Sequence, residues 1–243
     1  MSPDPADTAK TRTDAARGTL AIAIAVLAAI ALTLAFGALT RTVVMPAWLQ
    51  IVGAYLAVWI PLGVVVAAAW RARPGRGILA TTRPRLRLTA IDVLFGIGIG
   101  LLARGIAAIV QVALTGVMPG GGIRLELDPL AWWFGLILAP VLLAPVIEEL
   151  FFRGVAQPVV TDAARAAGSA PRTATVIGIV ATAAVFALLH TLDAATPTGA
   201  WVVALSTFVF GCAVGTLVAV TGRLGGAIVA HAVFNLTLVL LLV

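Results

Sequence analysis

Long apolar runs separated by short polar breaks make up nearly all of the 243-residue chain. Seven stand out, at about residues 18–40, 47–70, 91–118, 130–152, 174–192, 200–221 and 224–243. A spanning helix needs about 20 apolar residues to cross a hydrocarbon core about 30 Å thick. The pattern therefore predicts an all-α membrane protein, a polytopic transmembrane bundle of about seven helices, with six to eight as the bounds. The two longest runs exceed a perpendicular span, which tilt or a split would accommodate. Residues 1–17 are polar and rich in Asp, Thr and Ala, and read as a disordered cytosolic tail before a single transmembrane domain at 18–243. Gly18 to Thr40 is too long for a signal-peptide core, so a retained first helix is expected.

Composition narrows the class. Hydrophobic residues make up 61% and charged residues 11%, against roughly a quarter charged in a soluble domain. Too few polar residues remain to cover a soluble surface. A net charge of +6 would suggest nucleic acid in another setting, but no basic stretch carries interleaved aromatics for base stacking, and nucleic acid is not an expected partner. The arginines instead flank helices. Arg71, Arg73, Arg76, Arg83, Arg85 and Arg87 fall in one connection without an acidic residue, which marks the cytosolic side. Alternation of the spans then puts Lys10, Arg12, Arg17, Arg165 and Arg172 inside, and Glu126 and Asp128 outside. A multi-pass protein of the plasma membrane with a cytosolic N-terminus is expected. Cys212, the single cysteine, can form no internal disulfide. Gly96, Gly98, Gly100 and Gly105, like Gly211 and Gly215, suit close helix packing; no strand precedes them, which excludes a nucleotide loop.

In such a chain the informative residues are those that hydrophobicity should have excluded. A charge at the centre of a spanning helix costs about 2.5–3.5 kcal/mol on insertion scales. Arg104, Gln111, Glu148, Glu149, Arg153, His190, His231 and Asn235 all lie within apolar runs, and both histidines of the protein are among them. Glu149 and Arg153 are four apart and share a helix face, whereas Glu148 is turned by about 100° and must be satisfied elsewhere. Pro140 and Pro145 lie just upstream, and each removes a helical hydrogen bond. His231 and Asn235 share a face at i, i+4. A helical hairpin turning at Gly168-Ser169 would bring the glutamates and His190 to one depth, roughly 30 Å from the turn. His231 lies only about 12 Å from the break at Gly222-Arg223 by the same rule. The levels agree only if the first hairpin projects beyond the other helices or is broken. Helix capping at the interface, or polar clasps between helices, would also account for these residues.

Glu148-Glu149-x-x-x-Arg153, Phe186-x-x-x-His190 and His231-x-x-x-Asn235, in that order, resemble the CPBP family: the type II CAAX prenyl proteases and the bacteriocin-processing or self-immunity (Abi) proteins. Phe210-Gly211, Gly215 and Thr221-Gly222-Arg223-Leu224 are similar too. The resemblance covers about residues 130–243, the expected catalytic core. It implies an intramembrane glutamic endopeptidase, without a cofactor, whose cavity opens to the cytosol and whose substrate is a membrane-associated or prenylated peptide or protein. It further implies that Glu148 activates water with help from His190, that His231 and Asn235 stabilise the oxyanion, and that Arg153 orients Glu149. Two other readings stand beside it. Glutamates and histidines could hold Zn²⁺, although no His-Glu-x-x-His helix is present. A non-catalytic immunity factor, scaffold or proton-coupled carrier could also keep such a set. Arg104 matches no motif and is expected to face the bundle and pair with a carboxylate or with carbonyls.

Overall fold

The polar breaks become helix ends in the computed structural model, which describes residues 5–71, 85–120, 129–192 and 194–242. Its helices are α1 (Pro5–Thr42), α2 (Ala47–Arg71), α3 (Ala90–Thr115), α4 (Pro129–Ala166), α5 (Pro171–His190), α6 (Pro197–Thr221) and α7 (Gly225–Leu242). The ends carry familiar local chemistry. Thr89 and Asp92 form a reciprocal capping box at the start of α3. Pro171 and Pro197 occupy first-turn positions, where a missing N–H costs nothing. Gly116 and Gly222 end α3 and α6 in the left-handed conformation. Among the described residues there is no strand, and α1 through α6 are long and apolar enough to cross a membrane, α7 being shorter. The chain is a polytopic helical membrane protein. Leu94, Leu102 and Val220 are among many large apolar side chains on its outer surface, as lipid as the surrounding solvent requires.

Two expectations about length change. The segment 1–17 was expected to be disordered, yet α1 is helical from Pro5; residues 1–4 lie outside the described residues. A continuous helix costs no new nucleation when it extends from an apolar span, and the Arg12 guanidinium donates to the Ala166 carbonyl at 3.1 Å, capping the end of α4. Helix α4 itself runs on well past residue 152, because its last turns are amphipathic and pack on α5 through Gln157 and Thr161. The hairpin between α4 and α5 turns at Gly168, where φ is 96°, as the spacing predicts. Its tip meets the polar end of α1. Helix α4 has 38 residues and α7 only 18, and this inequality takes up the difference in level between His190 and His231. Most of the basic connection, residues 72–84, and the loop at 121–128 with Glu126 and Asp128 lie outside the described residues.

Helix α3 packs against α6 and α7, and α5 lies between α4 and α6. A Cβ on Gly96 or Gly100 would come within 2.7 Å of Val229 or of the Ala230 carbonyl, so the α3–α7 approach needs glycine at both positions. Gly98 and Gly105 face open space, so helix packing does not explain them. Asp92 and Arg223 form a two-pronged ion pair at 2.9 Å that fastens the start of α3 to the α6–α7 turn.

Candidate active site

The site begins with a defect in α4. Its residues Trp133–Leu143 are π-helical, so each N–H there reaches back five residues. Prolines interrupt that ladder twice. Pro140 has no N–H for the Gly135 carbonyl, which instead lies 3.4 Å from the Tyr55 hydroxyl of α2. Pro145 has none for the Pro140 carbonyl, which accepts the Asn235 amide of α7 at 2.7 Å. Helices α2 and α7 are thereby tied to α4 on either side of the position that leads to Glu148.

Below this defect Glu148 and Glu149 diverge, as their 100° offset requires. Glu149 is fully buried. Its Oε1 accepts from Arg153 at 3.1 Å and from His231 Nδ1 at 2.9 Å. Arg153 is as deeply buried, donates its other arm to the Gly211 carbonyl at 3.2 Å, and lies over the Phe186 ring at 4.8 Å. A Cβ on Gly211 would stand 3.0 Å from the Ala183 Cβ and 3.2 Å from that guanidinium, so α6 packs closely there. One turn on, the Gln157 amide donates to the Gly215 carbonyl at 3.0 Å, repeating the clasp.

Glu148 faces the other way, toward both imidazoles. Its Oε2 lies 3.8 Å from His190 Nε2 and 3.8 Å from His231 Nε2. The tautomers follow from the remaining nitrogens. A carbonyl only accepts, so His190 Nδ1, 2.8 Å from the Phe186 carbonyl, carries its hydrogen; so does His231 Nδ1, which faces an arginine-paired carboxylate. When the rings are neutral, two Nε2 lone pairs face Glu148. The rings of Phe186 and Phe210 pack edge-on against His231, at 5.7 and 5.1 Å between centroids, and restrict its rotation. Among the described residues, no group of three His, Cys, Asp or Glu side chains is arranged to hold a metal ion.

A cavity of about 580 Å³ leads to this centre between α2, α4, α7 and the end of α5. Its lining is aliphatic apart from Tyr55, Trp59, Phe152, Glu148, His190 and Asn235, the mix expected of a ligand site. The Trp59 indole lines the cavity together with Glu148. Neither Tyr55 nor Trp59 stood out in the sequence, because an aromatic residue in an apolar run carries no signal of its own. Gln157 and Asp92 were missed although a polar group within or beside an apolar run was the signal sought. Arg104 donates to the Phe234 carbonyl at 3.1 and 2.5 Å and lies over the Phe234 ring at 3.8 Å, which bears out the expected carbonyl partner and bundle-facing position. Gln111 is half-buried on α3 and donates no hydrogen bond to the site.

A bundle of membrane helices thus encloses two carboxylates, two imidazoles, an arginine and a carboxamide around the inner end of one cavity. Residues 130–237 match the family model of Type II CAAX prenyl endopeptidase Rce1-like, which agrees with the motif resemblance and spans every member of the set from Glu148 to Asn235. No curated protein and no solved structure matches the chain.

Proposed function

We propose that this protein is an intramembrane endopeptidase in which Glu148 activates water for attack on a peptide carbonyl. The observation that carries the reading is the convergence of two imidazole Nε2 atoms on Glu148 Oε2, each at 3.8 Å. A water at that point can give one hydrogen to the carboxylate and the other to one of the two imidazoles. When that water attacks, Glu148 takes its proton, the carbonyl π pair moves onto oxygen, and a tetrahedral intermediate forms. Collapse expels the amine, which receives the proton held by Glu148 or by an imidazole. No covalent adduct is needed. His231 becomes a donor to the oxyanion once protonated, and the ion-paired Glu149 stabilises its positive charge. Asn235 has committed one amide hydrogen to Pro140 and offers the other. Arg153 holds Glu149 in register and does not touch the substrate. The substrate is a peptide or protein in or at the membrane, and the N-terminus is cytosolic. The same tautomers, with Nδ1 carrying the hydrogen and Nε2 unprotonated, also suit imidazoles that bind a metal, so a chelator belongs in the test.

The experiment is cleavage of a membrane-peptide library by detergent-purified protein, with and without chelator. Wild type is expected to cleave a subset of the library in both conditions. Glu148→Gln is expected to lose at least about 10³-fold in rate, and His190→Ala about 10²–10⁴-fold. Retained activity in Glu148→Gln would sink the proposal; loss of wild-type activity on chelation alone would replace it with metal-dependent hydrolysis.

A further inference from the structure

Two cavities approach the acid–imidazole centre, from opposite ends of the bundle. The apolar one, about 580 Å³, reaches Glu148 and His190 at its inner end. Its outer end is bounded by Ile51, Gly135 and Val239, close to the starts of α2 and α4 and the end of α7. The other, about 430 Å³ and polar, enters among Arg85, Asp162, Arg165, Gly222 and Leu224 and stops at Arg153 and Gln157. Between them stand Glu149, Arg153, Phe152 and Phe186, all buried. Only the first cavity reaches the carboxylate that faces both histidines.

Charge distinguishes the two ends. At the polar cavity's end lie the ends of α2, α4 and α6 and the starts of α1, α3, α5 and α7. The described residues there include Lys10, Arg12, Arg17, Arg71, Arg85, Arg87, Arg165, Arg172 and Arg223. Among the described residues the opposite end carries Arg41 alone of the basic side chains. Lys and Arg accumulate in the cytosolic connections of membrane proteins. The polar cavity therefore faces the cytosol, and the cavity that reaches Glu148 opens at the other face. The family resemblance implies the reverse.

We propose that the site is loaded from the extracytosolic face by an apolar stretch of peptide, exported or held in the outer leaflet, that enters between α2, α4 and α7. This rests on the proposed peptidase activity for its chemistry, though not for its direction. The lining explains the preference for apolar chain: it has no charged side chain besides Glu148 and His190. A lysine or aspartate of the substrate would be desolvated there without a counter-charge.

Accessibility tests the direction without requiring turnover. In a Cys212→Ala background, single cysteines are placed at the mouth (Ile51→Cys or Leu238→Cys) and at the basic end (Arg165→Cys, whose side chain is 50% exposed). Each is treated with a membrane-impermeant maleimide in right-side-out and in inverted vesicles. The mouth cysteines are expected to react only in right-side-out vesicles and Arg165→Cys only in inverted ones. A blocked leucine–alanine peptide added outside is expected to slow labelling at the mouth, and a lysine-substituted version to leave it unchanged. Two mouth positions guard against one variant that fails to fold. Labelling of the mouth only in inverted vesicles would overturn the entry side, and equal protection by both peptides would overturn the apolar occupant. The labelling pattern should be the same in Glu148→Gln. An intact pattern in a protein that cleaves nothing sinks the peptidase reading alone, and cleavage with a reversed pattern sinks the entry side alone.

Discussion

Glu148 and Glu149 are chain neighbours with opposite tasks. Glu149 is a buried counter-ion shared by Arg153 and His231, and Glu148 is turned to the cavity. Removing the first leaves a guanidinium buried without its charge partner, which costs about 3–5 kcal/mol in buried pairs. Glu149→Gln is therefore expected to lower both the melting temperature in detergent and the activity. Glu148→Gln removes a carboxylate beside another carboxylate and is expected to melt no lower than wild type while losing turnover. Equal melting of the two variants would show that Glu149 carries no structural charge pair. The motif placed both acids at the site, and the i, i+4 spacing identified the arginine's partner. That His231 shares Glu149 instead of donating to the solvent side could not be read, since it depends on an approach between residues 82 positions apart.

At the scale of one element, α4 is governed by its two prolines. The sequence announced missing hydrogen bonds at Pro140 and Pro145 but not which carbonyls they free, because that depends on whether the ladder reaches back four residues or five. The π-helical register settles on Gly135 and Pro140, and the donors come from α2 and α7. Asn235 is thus a tether as well as a site residue. Asn235→Ala is expected to destabilise the protein by about 1–3 kcal/mol, the cost of leaving a buried carbonyl unsatisfied. In a Pro145→Ala background the restored N–H can serve the same carbonyl, and the cost of Asn235→Ala should shrink. A double-mutant cycle of melting free energies measures the difference; additive costs would mean that Asn235 and Pro145 do not share the Pro140 carbonyl.

Across the whole molecule, helices of unequal length are held in register by polar fasteners at the basic end. Asp92 is buried and takes two hydrogen bonds from Thr89 besides its pair with Arg223, joining α3 to the α6–α7 turn. Arg223→Ala is expected to lower the melting temperature measurably. Arg165→Ala, whose pair with Asp162 is exposed, should leave it unchanged, because surface pairs contribute little. Identical melting of the two would remove Asp92–Arg223 from the fasteners. Membrane class, helix number and the hairpin at Gly168 were legible because each follows from run length and local breaks. The helical extension of α1 and the long tip of α4 were not, because each polar segment is stabilised by the other, as the Arg12–Ala166 contact illustrates.

The sequence by itself determined that this chain crosses the membrane several times, where its spans fall, which residues are too costly to be there without a purpose, and which family its second half resembles. Those properties are set by hydrophobic length and by the energy of burying a charge, and both are local. Tertiary structure alone decided that Trp59 and Tyr55 join the site, that Asn235 answers a proline, and that the cavity reaching Glu148 runs between α2, α4 and α7. Each depends on which helix faces which and at what height. In a bundle whose helices differ in length, no one-dimensional pattern sets that height.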